Sequence, residues 1–91
     1  MNNKKLEEIN ELLNSGKIVE AEQILEKIHP DESVEYLLVK GKLEQKFQRW
    51  GKAVNAYAKV IELDPKNSEA KNNLELIQNI LNFWNPEMFN P

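Results

Sequence analysis

The chain has 91 residues, of which 30% are charged, and its formal net charge is −3 at pH 7. This length predicts one small domain, and the acidic balance supplies no basic field for nucleic acid or an anionic membrane, so neither is an expected partner. The chain contains no cysteine, which excludes disulfides and thiol chemistry and fits a reducing compartment. No apolar run approaches the roughly 20 residues of a membrane-spanning helix, and no signal peptide is apparent. The expected location is cytoplasmic.

Five helices are predicted in chain order from apolar residues that recur every three or four positions. They cover about 3–14, 17–28, 33–47, 50–63 and 68–83, and no segment alternates with the period of a strand. These patterns predict an all-α fold.

The predicted turns and helix ends contain suitable residues. Gly16 lies between the first two helices, where it can adopt the left-handed conformation that ends a helix. Pro65 prevents continuation of the fourth helix. Asn67 or Ser68 can cap the fifth helix.

An internal similarity relates the first third of the chain to the second. A shift of about 32 residues aligns Ala21 with Ala53 and Leu25 with Tyr57. The first third therefore reads as a weaker copy of the second.

The segment 34–65 contains the most specific pattern in the chain. Gly41, Trp50, Ala53, Tyr57 and Pro65 follow one another in this order. Small residues in two antiparallel helices permit close approach, and aromatic residues fill the space around them. In this order and spacing, the segment resembles a tetratricopeptide repeat.

The resemblance implies a short right-handed α-solenoid built from antiparallel helical hairpins. It places the first repeat at about 2–30, the second at about 33–65 and a C-terminal capping helix at about 67–84, within a single domain at 1–85. Residues 86–91 are predicted to form a non-helical tail, because Pro86 disfavours helical geometry at the preceding residue.

Members of this family usually bind partner peptides along a concave groove formed by the first helix of each repeat. The resemblance therefore implies a non-catalytic protein–protein interaction module. Glu35 and Glu69 align with positions of this groove. The apolar part of the groove favours an amphipathic helix or an extended apolar segment as the partner. The predicted partner-binding residues are Leu6, Asn10, Leu13, Leu38, Lys42, Gln45, Lys46, Leu76 and Ile80.

Catalytic or metal-dependent functions find no support in the sequence. His29 is the only histidine and adjoins Pro30 in a predicted turn. The carboxylates lack the spacing of a calcium loop, and glycines are not clustered as in phosphate-binding loops. We therefore expect no enzyme activity, no cofactor and no metal site.

Three further features leave alternatives open. Stacked repeats expose apolar end faces, so the alternative function is a self-assembling structural module, which would make the chain a weak homo-oligomer. In the C-terminal tail, Met88 and Phe89 either fold back as a cap on the fourth or fifth helix, or belong to a tail that is disordered or reserved for the groove of a partner. Basic residues are dense between Lys40 and Lys52, where they either contact an acidic partner or form a solvated helix surface.

Overall fold

The computed structural model describes residues 3–28, 30 and 32–84. In this part of the chain it contains five α-helices and no strand, which confirms the predicted all-α class and number of helices. The observed bounds lie within one residue of the predicted ones at each end. The helices are α1 (Asn3–Asn14), α2 (Ile18–Lys27), α3 (Val34–Lys46), α4 (Trp50–Leu63) and α5 (Ser68–Trp84).

Two turns with the same backbone geometry end α1 and α3. Gly16 has a φ of 81° and Gln48 a φ of 61°, so both lie in the left-handed region. The N–H group after each turn residue donates to a carbonyl five residues earlier, and both N···O distances are 2.8 Å. This arrangement is the Schellman motif. Because each turn is short, α1 and α2 form one antiparallel hairpin, and α3 and α4 form another.

Side-chain caps fix the starts of α3 and α5. Ser33 Oγ accepts a hydrogen bond from the Tyr36 N–H at 3.1 Å. Asn67 Oδ1 accepts one from the Ala70 N–H at 2.9 Å, which identifies Asn67 as the cap of α5. Both bonds satisfy donors that a helix leaves unpaired in its first turn.

A single hydrophobic core joins all five helices. Each hairpin packs internally, while α1 and α2 also contact α3, and α4 contacts α5. The four largest fully buried side chains are those of Tyr57, Ile9, Ile77 and Val60. They come from α1, α4 and α5, and they belong to one cluster of buried residues that also includes side chains of α2 and α3. Within the described residues, no helix has both the length and the apolar character needed to cross a membrane.

A group of ion pairs crosses the α2–α3 contact. Glu44 is only 4% exposed, and its carboxylate lies 3.1 Å from Arg49 Nη1 and 3.4 Å from Lys40 Nζ. Arg49 Nη1 also lies 2.9 Å from Glu22 Oε2 in α2. The buried carboxylate is therefore compensated by cations, and the guanidinium connects two helices.

Some sequence predictions concern residues outside the described part of the chain. They include the turn position of His29, the capping role of Met88 and Phe89, and the tail at 86–91.

Candidate partner-binding face

The residues predicted to form the groove converge on one face made by α1, α3 and α5. Lys42, in the middle of α3, connects the three helices. Its Nζ lies 2.7 Å from Glu69 Oε2 in α5 and donates to Asn10 Oδ1 in α1 at 3.5 Å. We call this surface the α1–α3–α5 face. It has two depressions, which share Lys42 as a wall.

The first depression, called here the acidic depression, has a volume of about 330 Å³. Leu6 and Val39 are buried and form its floor, whereas Leu38 is half-buried. Three carboxylates and one ammonium group line it, so two negative charges are in excess. Its lining residues are Leu6, Glu7, Asn10, Glu35, Leu38, Val39, Lys42 and Glu69.

The second depression, called here the amide depression, has a volume of about 480 Å³. It is lined by carboxamides, two lysines and three apolar side chains. Leu76 is 48% exposed and Trp50 is half-buried, so both offer apolar surface at its rim, while Leu13 is buried beneath them. Its lining residues are Leu13, Asn14, Lys42, Gln45, Lys46, Gln48, Trp50, Asn73 and Leu76.

Eight of the nine predicted groove residues line one or both depressions. The exception is Ile80, which is half-buried one turn beyond Leu76 in α5. Leu6 and Leu13 are 7% and 2% exposed, so they contribute to the floor more than to an accessible apolar strip. The accessible apolar area on this face is therefore provided mainly by Leu38, Trp50 and Leu76.

Glu7 and Trp50 also line the depressions but were not among the residues predicted for the groove. Helical spacing gave a signal for Glu7, which precedes Asn10 by three positions and so shares its face. The sequence pattern assigned Trp50 a packing role between helices. Nothing in the sequence indicated that it lines the groove, because that position depends on how α4 returns along α3.

The buried side chain of Tyr57 forms a hydrogen bond to one residue of the face. Its hydroxyl donates a hydrogen bond to Gln45 Oε1 at 2.8 Å, which orients the Gln45 carboxamide within the amide depression. Burial, reinforced by the negative charge of Glu69, raises the pKa of Tyr57 above its ordinary value of 10. The phenol is a donor at neutral pH, and the raised pKa keeps it protonated at alkaline pH as well.

The dense basic segment divides into paired and exposed residues. Lys40 and Arg49 pair with Glu44, and Lys42 pairs with Glu69. Lys46 is exposed and lines the amide depression.

Among the described residues, no group of three or more histidine, cysteine or carboxylate side chains is placed to hold a metal ion. The chemical groups that the α1–α3–α5 face offers are hydrogen-bonding groups, charges and apolar surface.

Comparison of the chain with protein-family models, with curated proteins and with solved structures found no match.

Proposed function

We propose that this chain is a non-catalytic protein–protein interaction module of the tetratricopeptide type, which binds a peptide or helix of a protein partner on its α1–α3–α5 face. Side chains of the partner enter the two depressions, and Lys42, Lys46, Asn10 and Gln45 select its register through polar contacts.

Two observations support the repeat architecture. The turns at Gly16 and Gln48 have the same conformation and the same hydrogen bonds, and they lie at the 32-residue offset that aligns Ala21 with Ala53. In a solenoid built from such hairpins, α1, α3 and α5 are the first helices of successive units, which accords with the ion pair from Lys42 to Glu69.

The observation that carries the functional proposal is the recessed character of this face. Two adjoining depressions of about 330 and 480 Å³ contain partly exposed apolar side chains together with unburied carboxylates, lysines and amides. Surfaces with apolar anchoring sites surrounded by polar groups are typical of peptide-binding grooves.

Peptide display tests the proposal directly. The immobilised chain is used to select binders from a random library of about twelve-residue peptides, which span roughly 40 Å when extended. We expect enriched peptides to bind the unmodified chain and to lose binding to the double variant Leu38→Asp with Leu76→Asp. Helix content should be retained, because both side chains are partly exposed.

A matched control is available on other surfaces. Val19 in α2 is 60% exposed and Leu63 in α4 is 50% exposed, and neither lines a depression of the face. The double variant Val19→Asp with Leu63→Asp adds the same charge and should retain binding. Equal loss in both double variants, or no enriched peptide at all, would contradict the proposal.

A second candidate function, self-assembly through an end face, is favoured by a groove between α4 and α5. This groove has a volume of about 200 Å³ and includes Val54, Leu74, Ile77 and Leu81 among its lining residues. Light scattering after size exclusion tests this function. A dimer at low micromolar concentration that becomes monomeric on Leu81→Asp would support it.

A further inference from the structure

The two depressions of the α1–α3–α5 face differ in charge, and this difference identifies the chemistry of the partner. Glu7, Glu35 and Glu69 surround the acidic depression, whereas Lys46 and carboxamides surround the amide depression. The helices α1, α3 and α5 begin at the acidic end. A partner segment therefore meets opposite electrostatic environments at its two anchoring points.

The excess negative charge of the acidic depression comes from two particular residues. Lys42 neutralises Glu69 through the ion pair at 2.7 Å. Glu7 and Glu35 are exposed, and neither forms an ion pair within the described part of the chain. Their carboxylates thus remain available to a cation from outside.

The floor of the same depression is apolar. Leu6 and Val39 are buried below it, and Leu38 is partly exposed beside the two free carboxylates. A lysine or arginine side chain matches this combination, because its aliphatic part packs on apolar surface while its charged end reaches a carboxylate. An acidic side chain is repelled there, and a purely apolar one leaves both carboxylates partly desolvated without a partner.

We propose that the partner is a linear segment with one lysine or arginine bound in the acidic depression and one large apolar side chain bound in the amide depression. This inference rests on the proposed function and specifies its ligand. The amide depression, with Trp50 and Leu76 at its rim, is the larger of the two and accepts a leucine, phenylalanine or tryptophan.

Helix geometry gives the spacing between the two anchors. Leu38 lines the acidic depression and Gln45 the amide depression, and they are seven residues apart in α3. At a rise of about 1.5 Å per residue the sites are roughly 10 Å apart. An extended partner covers this distance in about three residues, and a helical partner in about seven.

Sequences from the peptide selection test the inference. We expect enriched peptides to carry a net positive charge, with a lysine or arginine about three or seven positions from a large apolar residue. One such peptide is synthesised with arginine and with alanine at the basic position, and its Kd is measured. The alanine peptide should bind roughly three- to tenfold more weakly, as expected for exposed ion pairs with two carboxylates.

A charge-matched pair of variants separates local contacts from the overall field. The double variant Glu7→Gln with Glu35→Gln should weaken the arginine peptide by a similar factor and leave the alanine peptide unchanged. The control Glu8→Gln with Glu11→Gln removes the same charge from exposed positions of α1 that line neither depression, and it should change neither Kd.

The outcomes distinguish the two proposals. Enriched peptides that are acidic or uncharged, or equal effects of the two double variants, overturn the inference about the partner and leave the proposed function intact. An absence of enriched peptides overturns the proposed function and this inference with it.

Discussion

The aromatic ring of Tyr57 in α4 lies directly against the backbone of Gly41 in α3. A Cβ atom added to Gly41 would lie 2.7 Å from Cε1 and 2.8 Å from Cζ of this ring. Tyr57 is fully buried, and its hydroxyl is bound to Gln45, so the ring has little freedom to move away. The sequence indicated a close approach at Gly41 and Ala53, and the structure shows that the tyrosine ring takes the space at Gly41.

We predict that Gly41→Ala destabilises the fold by about 1–3 kcal/mol, because the added methyl group overlaps the Tyr57 ring. Urea denaturation followed by circular dichroism measures the effect. Gly51→Ala is the matched control, since its Cβ would meet no atom within 4 Å. In the α4 helix that substitution should increase stability by about 0.5–1 kcal/mol. Equal effects of the two substitutions would contradict the packing described here.

Tyr57→Phe should lower the free energy of unfolding at neutral pH by about 0.5–1.5 kcal/mol, because Gln45 Oε1 loses its donor. The alkaline pH dependence should also change. The folded state raises the pKa of Tyr57 above its ordinary value of 10, so the unfolded chain releases this proton first. The stabilisation is complete below pH 10 and is lost as the pH rises toward the folded pKa.

The measurement compares the unfolding free energies of the unmodified chain and Tyr57→Phe between neutral pH and about pH 11. The unmodified chain should lose more stability over this range than the variant. Parallel pH profiles would show that Tyr57 is not protected from ionisation in the folded state.

Gln48→Gly should stabilise the chain by about 1 kcal/mol, because Gln48 has a φ of 61° and glycine adopts this conformation without the steric cost that a Cβ atom imposes. The reciprocal change Gly16→Gln, at the equivalent turn with a φ of 81°, should lower stability by a similar amount. Thermal denaturation of both variants provides the measurement. If both variants changed the melting temperature in the same direction, the two turns would not be equivalent.

Arg49→Met should destabilise the chain more than Glu44→Leu does. The first change leaves the buried Glu44 carboxylate with Lys40 at 3.4 Å as its remaining ion-pair partner, and an undercompensated buried charge is costly. The second change leaves Arg49 paired with Glu22 and partly in contact with water. Midpoints of urea unfolding for the two variants give the order, and the reverse order would contradict this account.

Most residues that sequence analysis assigned to the groove line the two depressions, but the shape of the face did not follow from the sequence. Alignment with the repeat that the sequence resembles assigned Lys42, Gln45 and Leu76 to the groove. It did not show that Lys42 pairs with Glu69 and leaves Glu7 without a cation. Those pairings depend on distances between helices that are far apart in sequence.

Local sequence determined the five helices, their ends and the turn at Gly16, because apolar spacing, caps and left-handed glycine act over a few residues. Only the tertiary structure decided that Glu44 is buried with Arg49, that the Tyr57 ring occupies the space at Gly41, and that Leu6 and Leu13 form the floor of the face. Burial and ion pairing depend on how helices approach one another, and that approach is set by all the packed side chains together.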